Sequence, residues 1–209
     1  MGAEPDSSQP DHSKPSYVSR GGIKLRAALD AFELDVTGLR CVDLGCSVGG
    51  FSDCLLQAGA ASVVCVDTAY AQLAWKLRTD DRVTVMERTN ALHAEPPDGF
   101  VDLAVIDLGW TPQAKAITAA LRWLVPGGRI ISLIKPHYEL AEDEKSLLTD
   151  GVLSNQVAER VSVRVYESLG QLGVEACGLC VSPLRGSPKK NRPEGVGNRE
   201  WLAIFTTPD

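Results

Sequence analysis

Ionisable residues of this chain recur where its apolar runs end. Asp43 lies at the end of Cys41-Val42, Asp67 follows Val63-Val64-Cys65-Val66, Asp107 follows Val105-Ile106, Lys135 follows Ile130 to Ile134, and Glu200 precedes Trp201-Leu202. Carboxylates and an amine brought to one place can align a weakly acidic hydroxyl and help its proton leave, chemistry that side chains of this type perform when held at hydrogen-bond distance. Strand ends are polar in any case, so scattered solvated charges would give the same pattern. The choice between the two rests on topology.

A second cluster of chemistry-bearing residues is the run Asp43-Leu44-Gly45-Cys46-Ser47-Val48-Gly49-Gly50-Phe51. Its glycines stand between a buried strand, Arg40–Leu44, and a helix over 51–57, so backbone N–H groups and a positive helix end face any ligand above the turn. A dinucleotide fingerprint carries glycine at its middle position to let backbone touch a pyrophosphate. Here that position is Ser47, and Asp43 would repel phosphate but could pair with an ammonium. Asp67 lies about 20 residues past the turn, where a ribose-binding acid is expected. An ammonium and a ribose without phosphate describe S-adenosylmethionine. The expected contacts are Asp43, Gly45, Ser47, Gly49, Gly50, Phe51 and Asp67, with Asn90 placed to touch an adenine edge; a turn-forming role for Asn90 fits its type equally well.

The elements that must position these groups alternate. Strands are predicted at Arg40–Leu44, Ser62–Val66, Val83–Met86, Val101–Ile106, 129–134, 174–181 and Trp201–Thr206. Between them, Ser19 is a plausible N-cap for a helix with Leu25, Ala28, Leu29 and Phe32 on one face and Lys24 at its edge, where a surface lysine could equally snorkel. Tyr70, Leu73, Ala74 and Leu77 make a second face, Thr111-Pro112 starts a helix that Pro126-Gly127-Gly128 stops, and Val157, Val161, Val165 and Leu169 line a long one. Alternation predicts an α/β fold with an open, mostly parallel seven-stranded sheet and helices on both faces. Only a loop, 183–198, joins the last two predicted strands, so the last strand is expected to be antiparallel. Ligands of such sheets lie outside the carboxyl ends of the parallel strands, and an antiparallel last strand brings its beginning, Glu200, to that same edge.

Composition sets bounds. The 209 residues suit one domain, expected over 16–209, after a Ser/Pro/Asp-rich tail over 1–15 expected to be disordered. No apolar run approaches the roughly 18 residues of a membrane span, and no basic-then-apolar leader opens the chain, which together predict a cytoplasmic protein without a membrane partner. A net charge of -6 argues against tight unspecific nucleic-acid binding but allows a local basic surface. Cys41, Cys46, Cys54 and Cys65 read as buried thiols, and Cys177-Gly178-Leu179-Cys180 lacks the second ligand pair of a zinc site, so no metal is expected.

These motifs carry a resemblance. Tyr17-Val18-Ser19-Arg20-Gly21-Gly22-Ile23-Lys24-Leu25, Asp43-Leu44-Gly45 with Gly49-Gly50-Phe51, Gln72-Leu73-Ala74-Trp75-Lys76-Leu77, Glu87-Arg88-Thr89-Asn90, Val105-Ile106-Asp107, Lys135-Pro136 and Gly197-Asn198-Arg199-Glu200 resemble, in this order, the TlyA (haemolysin A) branch of the FtsJ-like methyltransferases. The resemblance implies a Rossmann-like fold dependent on S-adenosylmethionine and methylation of ribosomal RNA at ribose 2′-hydroxyls. It also places that family's Lys-Asp-Lys-Glu catalytic tetrad on Lys24, Asp107, Lys135 and Glu200.

The chain departs from the pattern in places. TlyA-type proteins begin with an S4 RNA-binding domain, whereas a short tail precedes Tyr17 here, which raises the expectation of a partner that supplies RNA binding. Leu108-Gly109-Trp110 stands where the family has a Ser-Phe pair, and 139–144 is acidic. Arg20 and the loop residues Lys189, Lys190 and Arg192 are the expected RNA-phosphate contacts. Two alternatives stay open on sequence: a non-catalytic RNA- or ribosome-binding protein that keeps the fold, and a nicotinamide-dependent oxidoreductase, which Ser47 and the antiparallel last strand disfavour.

Overall fold

The computed structural model describes residues 16–97, 99–186 and 197–209; the tail expected over 1–15 and the positions Lys189, Lys190 and Arg192 lie outside the described residues. Five strands, β1 (Arg40–Leu44), β2 (Ser62–Val66), β3 (Val83–Met86), β4 (Val101–Ile106) and β5 (Leu124–Ile134), pair in parallel. They are joined by β6 (Glu175–Val181) and β7 (Trp201–Thr206), and the seven strands run in the order β3-β2-β1-β4-β5-β7-β6. β7 is antiparallel to both of its neighbours, as expected from the sequence.

Both sheet faces are covered, which is why the central strands read as continuous apolar runs rather than as an alternation. Successive side chains point to opposite faces. Cys41, Leu103, Ile131 and Leu202 pack under α1 (Gly21–Ala31), α2 (Gly50–Gln57) and α3 (Trp75–Arg78). Val42, Ala104, Ile130 and Ala203 pack under α4 (Gln113–Leu121) and α5 (Asn155–Leu169). Each buried Leu- or Ile-sized side chain contributes about 2 kcal/mol of apolar transfer, so this double layer fixes the sheet that the site stands on. Among the described residues, no helix is long and apolar enough to cross a membrane.

Local structure departs from the sequence expectation at four points. Arg20, not Ser19, occupies the N-cap of α1; Ser19 Oγ instead accepts from Gly21 N at 3.3 Å. Tyr70, Leu73 and Ala74 do not form a helix face with Leu77. Ala74 N bonds to Val48 O, which fixes this segment to the glycine turn, and α3 begins only at Trp75. β5 starts at Leu124 rather than 129 and takes Pro126-Gly127-Gly128 into a register shift, eased by a positive φ of 68° at Gly127. Pro112 sits at the N-cap of α4 and Thr111 Oγ1 turns back to Gly109 O. The cap oxygen comes from afar: Glu139 Oε1 accepts from Gln113 N at 2.9 Å. Part of the acidic stretch over 139–144 is thereby used inside the fold.

Candidate active site

Register brings the strand-end charges together. Leu44 pairs with Val66 on one side and Ile106 on the other, so Gly45 is flanked by Asp67 and Asp107. On the far side of β4, Ile134 pairs with Trp201, which sets Lys135 level with Glu200. Lys135 Nζ lies 2.6 Å from Asp107 Oδ1 and also donates to Leu108 O at 3.3 Å. From α1, anchored by buried Leu25, Ala28 and Leu29, Lys24 reaches Glu200 Oε2 at 2.5 Å. Lys24, Asp107, Lys135 and Glu200 share the wall of one cavity of about 280 Å³.

This cavity is electrostatically crowded. Glu200 is 3% exposed, and burial pushes its carboxyl up while Lys24 and Lys135 oppose the shift. His137, on the same wall, is pushed down to about 4 by burial and by the nearby Lys135 charge, so its imidazole is neutral at physiological pH. Its Nδ1 is buried without a hydrogen-bond partner.

The glycine turn borders two further cavities, of about 260 and about 420 Å³, on either side of Gly45, Ser47 and Asp107. A Cβ on Gly45, which has φ 92°, would lie 2.8 Å from Asp107 O, and one on Gly49, with φ 99°, would strike the Leu77 side chain. The absence of both side chains is therefore required by close packing as well as by backbone conformation. Asp67 is held by two backbone donors, Ser47 N and Ala69 N, each at 2.8 Å, and lines the larger cavity together with Asn90. Asn90 Oδ1 caps Leu92 N at 3.0 Å, which leaves its amide nitrogen for the cavity.

Asp43, Gly50, Phe51, Arg20 and Lys24 line the smaller cavity. Asp43 is wholly buried; Oδ2 accepts from Ser52 N and Ser52 Oγ, at 3.0 and 2.6 Å, and Oδ1 has no partner. An unpartnered buried carboxyl oxygen on one side of a bare glycine turn and a backbone-held carboxylate on the other fit a ligand that carries an ammonium and a ribose. The residues present fit S-adenosylmethionine.

Sequence reasoning missed three residues at this edge. Trp110 is 84% exposed at a φ of 59°, and its ring centroid lies 4.7 Å from that of Tyr138, which in turn lies 4.0 Å from His137. This aromatic row extends from the tetrad cavity into solvent. The signal was present in the two strand-exit sequences, Asp107-Leu108-Gly109-Trp110 and Lys135-Pro136-His137-Tyr138. Asn198, also at the cavity, bridges segments: Oδ1 accepts from Leu153 N and Nδ2 donates to Gly151 O.

Comparison with known proteins bears on this arrangement. The sequence matches the family described as FtsJ-like methyltransferase over residues 17–192. It is 41% identical over 177 residues to the 16S/23S rRNA (cytidine-2'-O)-methyltransferase TlyA of Mycobacterium tuberculosis, covering 83% of this chain and 65% of that relative. The chain thus spans just under two thirds of that protein's length. Hemolysin A of Brachyspira hyodysenteriae is 30% identical, with 90% of this chain and 76% of the relative covered. A solved structure of a candidate hemolysin from Streptococcus thermophilus superposes with a TM-score of 0.83 at 36% identity, over 95% of this chain and 70% of that one. The N-methyltransferase NodS of Bradyrhizobium japonicum, solved in complex with S-adenosyl-L-homocysteine, shares the fold alone, with a TM-score of 0.57 at 15% identity over 91% of this chain and 86% of its own. A methyltransferase relationship over this much of the sequence replaces the oxidoreductase alternative, and the chain belongs to the FtsJ-like methyltransferase family.

Proposed function

We propose that the protein is an S-adenosylmethionine-dependent methyltransferase that acts on a ribose 2′-hydroxyl of ribosomal RNA. The observation that carries the reading is the paired arrangement of Lys24–Glu200 and Lys135–Asp107 around one cavity, next to a glycine turn flanked by Asp43 and Asp67. The named activity of the M. tuberculosis relative supports the substrate class. The NodS complex supports the cofactor class.

When bound, S-adenosylmethionine supplies an electrophilic methyl group. Asp67, Asn90 and Asp43 would hold it, and the bare backbone at Gly45 and Gly49 would let it lie against the turn. The chain's remaining task is to place a hydroxyl and dispose of its proton, since a ribose hydroxyl is a very weak acid. Lys135, fixed 2.6 Å from Asp107 Oδ1, faces the cavity as the general base or hydroxyl-orienting group. Lys24 and Glu200 form the opposite wall and orient the sugar. Nothing in this scheme requires a metal ion. The aromatic row from Trp110 to His137 offers a stacking surface to an unstacked base beside the sugar.

The test is incubation of ribosomal subunits with the protein and methyl-labelled S-adenosylmethionine, followed by mass mapping of the RNA. Label on a ribose 2′-oxygen is expected. Label on a base, or binding of RNA without transfer, would overturn the reading; the latter outcome would identify a non-catalytic RNA-binding protein.

A further inference from the structure

Three carboxylates converge on the glycine turn from adjacent strand ends: Asp67 after β2, Asp43 in β1 and Asp107 after β4. They are not equally compensated. Asp107 has Lys135, and Asp67 has two backbone donors and some access to solvent. Asp43 is wholly buried, among the described residues no ion pair is seen on it, and Lys24, which lines the same cavity, is held by Glu200.

The groups facing Asp43 come from every element packed around it. Ser52 of α2 gives it two hydrogen bonds, and Cys65 of β2 bonds that same Ser52 hydroxyl at 3.0 Å. Cys46 belongs to the turn, Arg20 and Lys24 line the cavity at the start of α1, and Asp67 and Asp107 flank it. The Ser52 donors favour the charged form, whereas burial and the two neighbouring carboxylates oppose it. Burial wins, and the Asp43 carboxyl is pushed up to about 7. Its second oxygen still has no partner.

We propose that Asp43 enters the cofactor complex by losing a proton, so that uptake of the cofactor's ammonium group expels one proton from the site into solvent. The inference rests on the cofactor reading above and adds the ionisation of one residue to it. The step balances: a neutral carboxylic acid and a cationic ligand become a carboxylate–ammonium pair, and the released proton goes to the buffer. Affinity must then rise with pH until Asp43 is ionised in the free protein. It must fall again at still higher pH, once the ligand's own amine loses its proton.

Calorimetric titration of the full chain with S-adenosyl-L-homocysteine, in buffers of different ionisation enthalpy, reads both quantities. Release close to one proton per ligand is expected at about pH 6, vanishing at about pH 8, with affinity rising about tenfold over the lower limb. Asp43→Asn should bind more weakly, release no proton and lose the lower limb while keeping the upper one. Ser52→Ala removes a donor that favours the charged form, so it should move the lower limb to higher pH; this second variant decides the matter if Asp43→Asn does not fold. Binding without proton release at low pH, release that persists in Asp43→Asn, or an unmoved limb in Ser52→Ala would each overturn the inference while leaving the cofactor reading intact. Absence of binding to the wild-type chain at every pH would remove that reading, and this inference with it.

Discussion

Lys135 and Glu200 stand level across the β5–β7 ladder, immediately beyond the Ile134–Trp201 pair, yet neither takes the other as its closest ion partner. Lys135 turns to Asp107 on β4 at 2.6 Å, and Glu200 turns to Lys24 on α1 at 2.5 Å. The result is two pairs from four separate elements facing one cavity, each holding its lysine in a fixed position while the space between stays open.

Lys135 is the group whose loss should separate transfer from binding. Lys135→Ala is expected to lower methyl transfer at least ~100-fold, the low end of general acid–base effects, while cofactor affinity stays within a few-fold. Lys135→Arg should not restore transfer, because a guanidinium stays protonated. Single-turnover rates with calorimetric cofactor affinities check this. An active Lys135→Arg enzyme would show that the lysine serves only to neutralise Asp107.

The Lys24–Glu200 pair should be costly to break from one side. Lys24→Met leaves a 3%-exposed carboxyl without its partner, and the loss should be about 3–5 kcal/mol by denaturant unfolding. Because burial already raises the Glu200 carboxyl above its unfolded value, folding favours its protonated form. The deficit should therefore be smallest while Glu200 is protonated in both proteins and grow as pH rises through its raised folded-state value. Adding Glu200→Leu should recover most of the stability and none of the activity.

Trp110 should matter to RNA and not to cofactor. Its exposed ring sits against Tyr138 at the mouth of the tetrad cavity, in a left-handed backbone conformation that only surrounding structure maintains. Trp110→Ala should weaken the productive RNA complex by about 1–3 kcal/mol, the usual worth of one stacked base, and Trp110→Phe should retain most of it. Transfer kinetics over a range of RNA concentrations will show whether the change falls there; unchanged kinetics in Trp110→Ala would dismiss the stacking surface.

Lys189, Lys190 and Arg192 make a separate test, since their role is proposed from charge alone. Replacing all three by alanine should lower affinity for rRNA fragments and flatten its dependence on salt, the slope falling by up to about one for each phosphate no longer neutralised. Equal affinity and equal slope in the triple variant would mark them as ordinary solvated charges.

Much of this fold was legible because the central strands are buried and carry strong period and composition signals; β1, β2, β3, β4 and β7 coincide with the apolar runs. What escaped was governed by contacts distant in sequence. Leu73 and Leu77 suggested a helix face, but the Ala74–Val48 hydrogen bond keeps residues before Trp75 out of the helix. Thr111-Pro112 marks the start of α4 in the sequence, yet the cap acceptor comes from Glu139, which local sequence cannot show. At the site, the charged strand ends were readable because topology alone gathers them. The aromatic row was not, because it needs two loops leaving adjacent strands to fold toward each other.

The stem between β6 and β7 is closed on itself: Ser182 N bonds to Glu200 O and Gly186 N to Asn198 O, each at 2.9 Å, and Asn198 fastens it to residues 151–153. Whatever length of chain is inserted beyond this stem, Glu200 stays registered with Lys135 by the β5–β7 ladder. Doubling such an insertion adds only about 0.6 kcal/mol of closure entropy. The architecture thus separates two kinds of heritable change. Mutations that lengthen, shorten or recharge the connection between Gly186 and Gly197 can alter the surface beyond the stem, while the Lys24–Glu200 and Lys135–Asp107 pairs are inherited unaltered.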